Sequence, residues 1–201
     1  MKNKLFPVSV AAAALAGAAW YLRSKKLSGK KSSSGAASKS EAVPAAPKNV
    51  KEGSYSFISG FQDAATVEMK LSYDADRFSF LVVEDGFLSE SGDSHVGILS
   101  GEDFSAQFEY AGFYRGESFD QLHEELQTKH RDICPVAYGA NTGLKFLAGD
   151  NICLVFPIPQ DTYSYLLVTL VKAKENDDPI EQIPDYADLK YVLGSMSFCR
   201  S

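Results

Sequence analysis

Apolar and polar residues alternate from Val67 to Tyr73. Val67, Met69, Leu71 and Tyr73 fall on one side, with Glu68, Lys70 and Ser72 between them. A period of two is the signature of a half-buried strand. The stretch "DADR" predicts a turn, and Phe78 to Glu84 a second, more apolar strand. Turn and loop residues follow in "EDG" and "SESGDSH". Val96 to Leu99 predicts a short strand. After "SGED", Phe104, Ala106, Phe108 and Tyr110 alternate with Ser105, Gln107 and Glu109.

The period then changes. In "ESFDQLHEELQTKHRD", Phe119, Leu122 and Leu126 lie on one helical stripe. Ser118 followed by Gln121 is a capping box and marks the helix start. Strands are predicted again at Ile133 to Tyr138, Leu144 to Leu147 (after a "GANTG" turn), Ile152 to Ile158 and Tyr163 to Lys172. The run "YSYLLVTLV" is long and apolar enough for a central strand. Asp185 is placed to cap a final helix whose apolar face carries Tyr186, Leu189, Val192, Leu193 and Met196. The connections between strands are too short for parallel crossovers. The expected fold is α+β: two layers, a mostly antiparallel sheet of about six to seven strands with helices packed on it.

The first 51 residues follow another pattern. Leu5 to Leu22 is a mostly apolar run, and Ser28 to Val50 is Ser, Ala, Lys, Gly and Pro with almost no large apolar residue. The second stretch buries too little surface to offset its ordering entropy and reads as a flexible tether. The domain organisation is then an N-terminal membrane anchor or uncleaved signal (residues 1–27), a linker (28–52) and a folded domain (53–201). Eighteen residues at 1.5 Å rise give about 27 Å, close to the thickness of the hydrocarbon core. Ala16-Gly17-Ala18 also fits a signal-peptide cleavage box. Against cleavage, the product would begin "AWYLRSKK", and Trp20 and Tyr21 before Arg23 fit an aromatic belt at a membrane edge.

Charge separates the same regions. Met1 to Lys51 holds ten Lys or Arg against one acid, a net of +9; Glu52 to Ser201 holds ten against twenty-five, a net of −15. A domain that acidic repels phosphate backbones, so nucleic acid is not an expected partner. Arg23, Lys25, Lys26, Lys30 and Lys31 follow the apolar run directly and would meet anionic headgroups. Three positive charges precede the run, counting the α-amino group, and five follow it. The heavier flank places the domain on the cytoplasmic side of a single-pass, bacterial-type inner or cell membrane. The alternative is an exported, periplasmic domain.

A strand ending in "AGFYRGESFDQLHEELQ", then hairpins, then a closing helix ending in "VLGSMSF", resembles the PsbP-like α/β domains and related bacterial lipoprotein domains. The resemblance covers about Ala64 to Phe198 in element order and two loose patterns. It implies an accessory or assembly role without catalysis, and it transfers no functional residue. No cysteine lies near Ala18, so the lipid attachment of the lipoproteins is excluded.

Candidate chemistry is sparse. His123 opens "HEELQ", but a zinc helix needs its second histidine at 127, where this chain has Gln127. His130 is about 10 Å further along the axis, too far for one metal. Cys134 beside either histidine would make a nucleophile pair, although Pro135 in an apolar strand fits a buried or edge thiol better. "KENDDP" clusters Glu175, Asp177 and Asp178 without the Asp/Asn spacing and glycine of a calcium loop. Cys134, Cys153 and Cys199 form no disulfide framework and no CxxC. A Cys134–Cys153 bridge fits an exported domain; otherwise both are small buried hydrophobes. No cofactor is implied.

The last candidates are aromatic. Phe113 and Tyr114 are adjacent, so an extended chain turns them to opposite sides, and Arg115 follows. An exposed ring there would anchor a protein partner. The expected function is a membrane-tethered, non-enzymatic domain for protein binding or assembly. The alternatives are an exported enzyme built on His123, His130 and Cys134, and an apolar-ligand carrier with a cavity lined by residues such as Phe80 and Val82.

Overall fold

The computed structural model describes residues 47–59, 65–84, 95–112, 118–130, 132–159, 164–173 and 176–201. These form ten strands and two α-helices. The strands are β1 (Val50–Ser59), β2 (Ala65–Asp74), β3 (Ser79–Glu84), β4 (His95–Ser100) and β5 (Phe104–Gly112). Helix α1 (Phe119–Lys129) follows, then β6 (Cys134–Tyr138), β7 (Asn141–Ala148), β8 (Asn151–Pro157) and β9 (Ser164–Lys172). A 3-10 turn (Ile180–Asp185), α2 (Ala187–Gly194) and β10 (Ser197–Arg200) close the chain.

The sheet is mostly antiparallel and large, as expected, but it is two sheets. One has seven strands in the order β3-β4-β5-β9-β8-β7-β6; the other has three in the order β1-β2-β10. Every pairing is antiparallel. β9 lies at the centre of the large sheet, where its apolar run placed it.

Two strands depart from the sequence expectation of one sheet with helices over it. β1 begins at Val50, within the stretch read as linker, and buries Gly53, Tyr55 and Phe57 at alternate positions. β10 takes the residues after Gly194, and Phe198 turns back onto the core. β2 pairs with both, so the turn at Asp74–Arg77 carries the chain from one sheet to the other. That turn closes through the Phe78 N–H donating to the Asp74 carbonyl at 2.9 Å.

The main core fills the space between the sheets. β2 contributes Val67, Met69, Leu71 and Tyr73; β5, β8 and β9 contribute Phe104, Ala106, Phe108, Ile152, Leu154, Phe156, Leu166, Val168 and Leu170. The 3-10 turn and α2 extend this layer with Ile183, Leu189, Val192 and Leu193. Tyr186, not Asp185, is the N-cap of α2, and it makes no side-chain cap bond. The helix is instead pinned at its far end. Ser195 Oγ accepts the Ser72 N–H at 2.8 Å, and Asn141 Nδ2 donates to the Leu193 and Met196 carbonyls at 2.8 and 3.0 Å. The bond to Leu193 satisfies a carbonyl that a helix C-terminus leaves open.

The second face of the large sheet carries α1. The predicted capping box is present, with Ser118 Oγ accepting the Gln121 N–H at 3.3 Å and Gln121 Oε1 accepting the Ser118 N–H at 2.7 Å. Leu122 and Leu126 pack on Leu144, Phe146, Cys153, Val155, Tyr165 and Leu167, with Phe119 partly buried beside them. α1 therefore covers the β7-β8-β9 part of this face.

Candidate functional site

The catalytic candidates are held apart. His123 Nε2 accepts a hydrogen bond from Gln127 Nε2 at 3.0 Å. His130 ends α1 and packs tilted against Phe146, ring centroids 4.6 Å apart. Cys134 sits opposite Lys145, the neighbour of Phe146 on β7. Successive residues of a strand point to opposite faces, so Cys134 and the His130–Phe146 pair lie on opposite sides of the sheet. No nucleophile pair forms.

Cys153 is buried on the α1 side, directly across from Thr169, whose side chain hydrogen-bonds it. Burial pushes its thiol up to about 11, leaving it neutral and a poor nucleophile. All three cysteines are free. β7 runs between Cys134 and Cys153, and two strand spacings are about 9.6 Å, beyond the reach of a disulfide.

The acidic turn is a clamp. Tyr186 donates to Asp178 Oδ2 at 2.6 Å, and Asn176 Nδ2 donates to the Tyr186 hydroxyl and the Asp103 carbonyl, both at 3.0 Å. Lys172 Nζ donates to the Asp178 carbonyl at 3.1 Å. Arg77 joins in through ion pairs with Asp188 and, at 3.8 Å, with Asp103. Glu175 lies outside the described residues. Among the described residues no three His, Cys, Asp or Glu side chains cluster as a metal site.

Phe113, Tyr114 and Arg115 also lie outside the described residues, as do Arg23, Lys25, Lys26, Lys30, Lys31 and the whole anchor segment. Among the described residues no helix is long and apolar enough to cross a membrane.

The feature that sequence reasoning missed lies at the other end of the large sheet. β3 is an outermost strand, paired only with β4 among the described strands. Phe80 points into the main core. A Cβ built on Gly53 would stand 2.5 Å from its ring, and one on Gly97 would stand 2.9 Å away. The two glycines make the room that this ring fills, so Phe80 anchors β3. Leu81 and Val82 then face opposite ways, and they are 40% and 41% exposed. On the α1 side, Leu81 lies opposite Ile98 and Val83 opposite Val96. Of these four Leu81 stands open, while Val96 is buried.

Between β4 and β5 the ladder stops at Gly97–Phe108, although β5 runs on beside β9 to Gly112. Tyr55 enters this fork from β1. Its hydroxyl donates to the His95 carbonyl at 2.7 Å and accepts the Tyr110 N–H at 3.2 Å. Burial holds that phenol up to about 12. Phe57 stacks on Tyr110 at 4.8 Å next to it. An aromatic wedge thus replaces a rung of the ladder and holds β4 to β5. The site's geometry is that of an exposed apolar strand on a braced support.

Comparison with protein-family models, with curated proteins and with solved structures finds no match.

Proposed function

We propose that this chain is a membrane-tethered, non-enzymatic domain that binds another protein through the β3 end of its large sheet. The observation that carries the reading is the exposure of Leu81 and Val82, on both faces of a strand with an unpaired outer side among the described residues. An exposed apolar strand of this kind is an association site by default. The apolar run at Leu5 to Leu22 supplies the tether, and Arg23 to Lys31 supplies contact with anionic lipid. The flanking charges favour a cytoplasmic domain, with export as the alternative. The resemblance to PsbP-like domains points toward the same accessory role. The enzyme reading loses support from the separation of His130 and Cys134, and the carrier reading from the packing of Phe80.

The test is affinity capture with the full chain in mild detergent. The wild type is compared with a Leu81→Ser/Val82→Ser variant and with Glu124→Ser on the exposed side of α1. Recovery of the same protein by the wild type and by Glu124→Ser, and its loss with the β3 variant, is the expected result. Equal recovery by all three chains contradicts the reading.

A further inference from the structure

Among the described residues the two sheets have four outermost strands: β1, β10, β3 and β6. Exposed strand edges invite pairing, and proteins block them with proline, charge or shortness. β6 carries Pro135, which has no N–H to offer. β10 has four residues and ends in Arg200. β1 is long, but it carries Lys51, Glu52 and the strand-weakening Gly53 near its start. β3 reads "SFLVVE": its four central residues are Phe, Leu, Val and Val, with no proline, glycine or charge among them. Among the described residues β3 is the one of the four with two adjacent exposed apolar side chains, Leu81 and Val82, whereas β1 exposes Val50 and Ile58 near its two ends. β3 is also preset, because Phe80 locks it onto Gly53 and Gly97. A rigid edge loses little entropy when a strand is added to it.

We infer that β3 takes an added strand from a basic partner: an extended segment, apolar at its centre and flanked by Lys or Arg. This rests on the proposed protein-binding function and names its partner. The main-chain groups on the outer side of β3 supply the pairing, and Leu81 and Val82 supply apolar contact on the two faces. The sign of the partner follows from charge. A region of net −15 repels a second copy of itself and attracts a cationic segment. Size argues the same way. Six residues of edge are too little for the roughly 1,000 Å² that a stable dimer of folded domains needs, but they suit a short peptide.

The probe is a fluorescent peptide of three β-branched apolar residues flanked on each side by threonine and two lysines. Fluorescence polarisation measures its binding to the full chain in detergent. It is expected to bind, and the Leu81→Ser/Val82→Ser chain to bind it at least about tenfold more weakly, which is 1.4 kcal/mol. A peptide with glutamates for the lysines binds less well at low salt, and the gap narrows at high salt. Methylating alternate peptide nitrogens separates strand addition from simple stickiness. Only one of the two methylated series should lose binding, because a single edge of the added strand pairs. Equal loss in both series, no loss in either, or binding unaffected by the β3 variant overturns the inference. If the peptide fails while partner capture still depends on Leu81 and Val82, strand addition falls and the binding function stands. If capture is also insensitive to them, both fall.

Discussion

The two ends of the large sheet differ on the same face, and one row of residues shows it. The row runs from Leu81 through Ile98, Gln107, Thr169 and Cys153 to Phe146, each directly opposite the next across six strands. At the Phe146 end α1 covers the sheet, Cys153 is buried and His130 packs against the ring. In the middle Thr169 is only 3% exposed. At the Leu81 end the side chain is 40% exposed. The reason is width. A helix about 10–12 Å across covers two or three strands spaced 4.8 Å apart, and seven strands need more than one. One end of the sheet is finished by its own chain. The other end presents apolar side chains on a strand that its own core holds in place.

The comparison breaks first on stability. In the finished end Phe146→Ala should cost about 3–5 kcal/mol, as large-to-small core changes do, while Leu81→Ala should stay within about 0.5 kcal/mol. Urea unfolding of both variants checks this. A large cost at Leu81 would mean that the β3 end is part of the core.

Alkali sharpens the contrast in a second way. Burial raises Tyr55 and Tyr138 to about 12 and Cys153 to about 11. The folded state binds these protons more tightly than the unfolded state. The stability is therefore complete below the ordinary phenol and thiol values and is lost as pH climbs through the raised ones. Circular dichroism against pH should show unfolding between about pH 10 and 12. Tyr138→Phe should move that transition upward, and an unchanged midpoint would count against the burial of its hydroxyl.

Tyr55→Phe tests the brace alone. It deletes the donor to the His95 carbonyl and should cost about 1–3 kcal/mol. Hydrogen exchange should speed up in β4 more than in β8; uniform change would mean that the wedge holds nothing local. The smallest effect expected is at the helix that finishes the covered end. Ser118→Ala removes one cap bond and should cost about 1 kcal/mol. A cost near zero would mean that packing of Leu122 and Leu126 alone fixes α1.

Much of the fold was legible because period two and period 3.6 differ so plainly. The strand from Val67 to Tyr73, the capping box at Ser118 and the central run at Tyr165–Leu170 all sit where their patterns put them. β1 was missed because Ser54 and Ser56 around Tyr55 resemble the Ser-rich stretch before them, although Tyr55 and Phe57 already alternate. β10 was missed because four residues after a helix read as the helix continuing. The site was least legible. "FLVV" announces an apolar strand, but whether a strand is central or outermost depends on pairings made by other strands, of β2 with β1 and β10 and of β5 with β9. Gly53 and Gly97 explain themselves only once Phe80 is seen lying over both.

The central claim is that the β3 end is the working surface, and photo-crosslinking tests it most directly. A photoreactive residue is placed at Val82 in one full-length chain and at Glu124 on α1 in another, and both are irradiated in the membrane. The account predicts a discrete adduct with a second protein from position 82, lost when Leu81 is changed to Ser, and none from position 124. Matching adducts from both positions, or an adduct from 124 alone, would contradict it.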